Sequence, residues 1–292
     1  MAIISIGEIK LKLPQQLFND LNIFIDDMLN SECDIVIVLD GKEGTGKSRN
    51  ARIIGKYISY ITKRPFNENN IHFDTISYIK TSEKSQKYTV NILDESRQAL
   101  NNMRKMSGSN VFFTNWLSEN RDKQQVHIIV LPAIHDLDTY ISLWRMSLLI
   151  RSLKGHRKSK KSNSGWKLVR GYGYVYENNK DLQKVLFNRK KHGYYSYPRP
   201  KYIFNMPDQE PFTNDELERY KNKKAEKRAE KYSDPDNPRS SKVELAFKTS
   251  TLDVISKNLY TQREWAKINN VSDATISNIM KEMKIKNEKN KK

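Results

Sequence analysis

The chain has 292 residues, 37% of them hydrophobic, a mean hydropathy of −0.78 and a formal net charge of +18. This is polar for a globular protein but apolar enough for one full core and a small extra domain. The longest apolar runs, DIVIVL and VHIIVLPAI, fall far short of the ~20 residues that span a bilayer, and MAIISIGEIK lacks a signal-peptide pattern. The expectation is a soluble protein of the cytoplasm, of the host if the source is viral, without a membrane partner. Cys33 is the single cysteine, which excludes an intrachain disulfide and a cysteine-based zinc cluster.

Residues 15–30 place Leu17, Leu21, Phe24, Ile25 and Leu29 at helical spacing, and they run into DIVIVLD, a buried strand by its length and continuity. The next residues, GKEGTGKS, satisfy G-x-x-x-x-G-K-[ST] through Gly41, Gly46, Lys47 and Ser48, between a strand and a helix as a phosphate-binding loop requires. Glycines let the backbone turn so that successive N–H groups converge on phosphate oxygens. Lys47 supplies charge to the terminal phosphates, and Ser48 offers a hydroxyl to Mg2+ at the start of a helix whose dipole favours anions. The expected nucleotide contacts are Gly41, Lys42, Glu43, Gly44, Thr45, Gly46, Lys47, Ser48 and Arg49, with ATP and Mg2+ as cofactors.

The helix SRNARIIGKYISYITKR ends at Pro65, and a short strand NIHFD, a helical piece TISYIK and a strand YTVNILD follow. Asp94 ends that last strand, and Glu95 comes next. Asp94 is the expected partner of Ser48 at the metal, and Glu95 the base that polarises the attacking water. The alternative is an ordinary acidic pair at a helix N-cap. A helix through FFTNWLSENRDKQQ and a strand VHIIVLP complete a strand–helix alternation that predicts an α/β fold, a parallel sheet covered on both faces.

GKEGTGKS, IHFDTISYI, VNILDESRQALNNMRKMSGSNVFFTNWLSENRDKQQ and VHIIVLPAIHDLDTYISLWR resemble in succession the P-loop ATPases of viruses and mobile elements that look like the FtsK–HerA group of DNA-translocating motors, over about residues 10–150. The resemblance implies a RecA/ASCE-like core, an oligomeric ring that pumps DNA with ATP, and an arginine completing each site from a neighbouring subunit. Arg97, Arg104, Arg121 and Arg145 are the candidates, with Arg121 preferred because it ends the helix entering the next strand. Such motors carry a polar sensor on the strand after the metal acid, whereas here the end of that strand is apolar until His135 and Asp136.

Residues 1–150 hold 18 Lys+Arg against 17 Asp+Glu, and residues 151–292 hold 34 against 17, so the positive field belongs to the second half. Such an excess is a footprint for a polyanion. RSLKGHRKSKKSNSGWK reads as a mobile basic loop, and WKLVRGYGYVYE as a half-exposed strand or hairpin. The Tyr, Lys and Arg interleaved there and in KKHGYYSYPRPKYIF leave two readings open, a base-stacking surface or tyrosines covering a sheet. A capping box opens a helix over 213–231 that is polar almost all round, which reads as a solvated spacer excluded from any core. TQREWAKINNVSDATISNIMKEMK resembles a helix-turn-helix in which Ser272 caps the second helix and Thr275, Asn278 and Lys281 face DNA.

The domains so read are an ATPase core over 1–152, a basic strand/loop extension over 153–212, a polar helix and linker over 213–242, and a small all-α DNA-binding domain over 243–292. The function so read is a DNA-stimulated ATP hydrolase that translocates or packages DNA. The alternatives are a helicase-loading or transposition ATPase, and a nucleotide-switched DNA-binding regulator or segregation protein.

Overall fold

The computed structural model describes residues 1–7, 9–94, 108–158, 166–188, 197–232, 251, 255, 261–268 and 272–289. The chain forms two compact units, Met1–Lys227 and Arg228–Lys292.

The first unit opens with an antiparallel pair, β1 (Ala2–Ile6) and β2 (Ile9–Leu13), around Gly7 at φ +57°. The sequence reading missed this hairpin, although Ile9, Leu11 and Leu13 alternate as a half-buried strand does. Helix α1 (Gln15–Asn30) follows, then β3 (Ile35–Asp40), α2 (Lys47–Thr62), β4 (Ile71–His72), α3 (Thr75–Lys84), β5 (Val90–Leu93), α4 (Gly108–Glu119) and β6 (Val126–Val130). After these come β7 (Leu148–Lys158), β8 (Trp166–Glu177), α5 (Lys180–Asn188), β9 (Tyr202–Asn205) and α6 (Asn214–Tyr232).

The main sheet has seven strands in the order β4-β5-β6-β3-β7-β8-β9. The first five are mutually parallel, and β8 and β9 extend the sheet antiparallel from β7. All six residues of β3 are buried, and their alternation sorts the core into two layers. Ile35, Ile37 and Leu39 meet α1 and α2 through Leu17, Leu21, Ile53 and Tyr57, while Val36 and Val38 meet Tyr78, Phe113, Leu117, Leu182 and Leu186 on the other face.

Three expectations change here. Residues 151–158, read as loop, are the second half of β7 and pair with β8 as far as Lys158↔Trp166. A two-stranded ribbon that extends past the packed sheet needs no apolar face, so its basic sequence hid a regular backbone. The sheet therefore runs on across residue 152. Helix α6, read as a spacer, docks through Tyr220, 6% exposed and part of the core, with Leu217 packed against it. Tyr176 and Tyr197 pack into or against the core, so these two tyrosines cover the sheet.

Candidate nucleotide site

β3 delivers the chain to the loop 41–46, which turns back into α2. Gly41 has φ +133°, and a Cβ there would lie 2.2 Å from the Ser152 carbonyl oxygen of β7, so no side chain fits. Gly46 precedes α2 at φ +96° with no capping side chain, and the first turn of α2 holds no acid. Its amides are thus left to whatever sits in the loop. The loop is pinned from both sides, by Gly41 N–H donating to Pro132 O (3.1 Å) after β6 and Gly171 N–H of β8 donating to Thr45 O (3.3 Å). Its tip, Lys42 to Gly44, is exposed. Lys47 curls over the loop and donates from Nζ to Gly41 O (2.5 Å) and Lys42 O (2.9 Å), which sets its ammonium in the mouth of the cradle.

Because β6 lies between β3 and β5, the ends of β3 and β5 face each other across the carboxyl edge of the sheet, where open α/β sheets bind ligands. Asp94 sits there, 2% exposed, its backbone N–H bonded to His72 O at 2.8 Å. Ser48 Oγ donates to Asp94 Oδ1 at 2.9 Å. The structure thus brings Ser48 and Asp94 into contact, with Lys47 next to Ser48 in the chain. A hydroxyl and a buried carboxylate suit a hard cation such as Mg2+, which takes few protein ligands beside water and phosphate. Glu95, Arg97 and Arg104 lie outside the described residues.

The sequence reading missed what covers this acid. Tyr220 Oη donates to Asp94 Oδ2 at 2.9 Å, and Lys224 Nζ lies 3.1 Å from the same oxygen. Burial, reinforced by the Asp94 charge, pushes the Tyr220 hydroxyl up to about 12, so it serves as a neutral donor. The available signal was the four-residue spacing of Tyr220 and Lys224, which puts both on one helix face. The segment ahead of α6 grips α2. Arg52 forms a two-pronged pair with Glu210 (Nε–Oε1 3.2 Å, Nη2–Oε2 2.9 Å) and stacks over the Tyr220 ring at 4.5 Å. Arg49 pairs with Asp208, while its Nε and Nη2 have no hydrogen-bond partner among the described residues.

A second cluster supports the loop from beneath. Asp40, directly before Gly41, accepts from Tyr197 Oη (2.5 Å) and Ile134 N–H (3.1 Å), and burial pushes its carboxyl above the usual range. Arg151 stacks 3.6 Å over the Tyr197 ring, and His135 meets that ring edge-on. Arg145 is committed elsewhere, to Asp34 Oδ2 (2.5 Å) and Leu117 O (2.9 Å). Arg121 is exposed in the 3-10 turn Asn120–Lys123 that leads into β6, at the sheet edge opposite the loop.

The second unit contains helices α7 (Gln262–Ile268) and α8 (Asp273–Lys289). Ala266, Ile276 and Met280 form its small core, with Trp265 and Ile255 packed against it, and Ser272 Oγ accepts from Thr275 N–H at 3.2 Å. Thr275, Asn278 and Lys281 are exposed. Among the described residues, no helix of either unit is long and apolar enough to cross a membrane.

No protein-family model and no curated protein matches the chain. Among solved structures it is similar to the genome packaging NTPase B204 from Sulfolobus turreted icosahedral virus 2 in complex with AMPPCP, at 16% identity and TM-score 0.35, over 51% of this chain and 94% of that one. It is similar also to B204, the DNA-packaging ATPase from Sulfolobus turreted icosahedral virus (13%, TM-score 0.33, 51% and 95%). A third is the flagellar accessory protein FlaH from Methanocaldococcus jannaschii (13%, TM-score 0.32, 61% and 88%). By its own strand order, glycine loop and Ser48–Asp94 pair, the chain is a mixed α/β protein with a P-loop at the carboxyl edge of its sheet.

Proposed function

We propose that the protein is a Mg2+-dependent ATP hydrolase that couples turnover to the translocation or packaging of DNA. The observation that carries the ATPase reading is the Ser48–Asp94 hydrogen bond beside a loop whose lysine already points into its mouth. The loop amides and Lys47 bind and orient the terminal phosphates, and Lys47 moves from the loop carbonyls to the anion. Ser48 and Asp94 would hold Mg2+, which would supply charge neutralisation on those phosphates. Glu95, next in the chain, is assigned the base that takes a proton from the attacking water. Arg121 lies at the far edge of the sheet from its own loop, so it acts on the site of an adjoining copy, which makes a ring part of this reading.

The DNA side of the proposal is supported by the 34 Lys+Arg against 17 Asp+Glu of residues 151–292 and by the exposed Thr275, Asn278 and Lys281 of α8. Packaging is the role carried by the names of the two viral proteins above, and it enters here only as the form of motor proposed. The test is ATP turnover by the full chain with and without duplex and single-stranded DNA. Lys47→Ala is expected to lower turnover at least about 100-fold, and DNA to raise it in the wild type. Turnover indifferent to DNA but raised by a partner protein would replace the motor with a loading ATPase.

A further inference from the structure

Both oxygens of the metal acid are occupied by donors from its own chain. Ser48 takes Oδ1, and α6 supplies two donors to Oδ2, the Tyr220 hydroxyl at 2.9 Å and the Lys224 ammonium at 3.1 Å. A carboxylate only 2% exposed requires a compensating charge, and Lys224 provides it at Oδ2. A divalent ion arriving at Ser48 and Asp94 meets the charge of that ammonium across the same carboxylate. The two cations compete for one carboxylate.

The rest of α6 is built for release. Its hold on the rest of the first unit is mostly polar: Arg219 and Lys223 reach Glu68, Lys223 also reaches Ile71 O at 2.7 Å, and Glu216 pairs with Lys56 at 3.4 Å. Groups of this kind recover water when they part, so such a helix detaches at far lower cost than one seated on an apolar stripe. The apolar anchor is the Tyr220 ring, held between Arg52 and Phe73.

We propose that α6 is a built-in cation substitute on the metal acid: Lys224 and Tyr220 satisfy Asp94 when no metal is bound, and Mg2+ entering with a nucleotide displaces them, so that the docking of α6 reports the state of the site. The proposal rests on the reading of the site as a Mg2+–nucleotide site. Displacement is felt along the helix, because Tyr220 and Lys224 lie on the face that carries its other contacts, and α6 runs on through Arg228, where the second unit begins.

The test uses the full chain and a slowly hydrolysed ATP analogue, with Mg2+ or with a chelator. Backbone hydrogen exchange in residues 214–227 is expected to speed up with analogue and Mg2+ but not with analogue and chelator. Lys224→Met is expected to strengthen Mg2+-dependent analogue binding about two- to tenfold, and Tyr220→Phe, which keeps the ring, by less, with chelator-condition affinity unchanged in both. Slower or unchanged exchange in α6, or weaker Mg2+-dependent binding by Lys224→Met, overturns the proposal. A wild-type chain that binds the analogue equally with Mg2+ and with chelator overturns the metal-site reading itself, and the two failures are thereby separated.

Discussion

Residues 35–94 and residues 208–227 meet at one carboxylate, yet they hold their places by opposite means. The first stretch is positioned by burial: β3 is buried along its whole length, β5 likewise, and Asp94 is fixed because the strand ahead of it is. The second is positioned largely by charge, through Arg49–Asp208, Arg52–Glu210, Lys56–Glu216 and Lys224–Asp94, with Phe212 and Tyr220 as its side chains in the core. One buried carboxylate, Asp94, is thus set by the strand ahead of it and covered by polar groups of another region.

Arg52→Ala should break the comparison most sharply. Its side chain is 7% exposed, and its loss leaves Glu210 without its two-pronged partner and Tyr220 without its stacked guanidinium. A loss of about 3 kcal/mol is expected, with protease sensitivity rising in 208–227 before the rest of the first unit. Cooperative loss of both regions together would show that α6 belongs to the rigid body.

Acid should weaken the buried region through His127. Its Nδ1 faces the Tyr78 hydroxyl at 2.6 Å, and burial, reinforced by Arg145, holds the ring down to about 3. The unfolded chain takes up a proton near the ordinary value of 6.5 while the folded one does not, so stability is present above that value and is lost as pH falls toward the folded one. Between pH 7 and pH 5 this amounts to about 2 kcal/mol, from ~1.4 kcal/mol per pH unit. Asp34 and Asp40, pushed up by burial, act in the opposite sense, since they take up protons in the folded chain first. Denaturant midpoints measured across this range should fall in wild type and stay flatter in His127→Phe.

The legible parts were those where chemistry or burial constrains residue type at fixed spacing. Gly41, Gly46, Lys47 and Ser48 announce the loop because nothing bulkier fits at Gly41 and little else serves at Lys47. Continuous apolar runs announced β3 and β6, and Asp94 could be picked out because it ends such a run. The ribbon beyond Arg151 was hidden because its stability is backbone pairing, which leaves no trace in side-chain period. The docking of α6 was hidden because Glu68 and Asp94, its main partners, lie 151 and 130 positions from Arg219 and Lys224. A lysine-rich helix looks the same whether its charges meet water or buried acids, and Leu217 and Tyr220 were the apolar breaks in the pattern.

Calorimetric titration of the full chain with a slowly hydrolysed ATP analogue and Mg2+ tests the central claim most directly. One saturable site per chain is predicted, at least about tenfold weaker in Lys47→Ala, with the Mg2+-dependent part of the affinity lost in Asp94→Asn and the thermal midpoint of Lys47→Ala unchanged. Analogue binding by Lys47→Ala as tight as by wild type would contradict the account, because the loop would then not be where the phosphates sit.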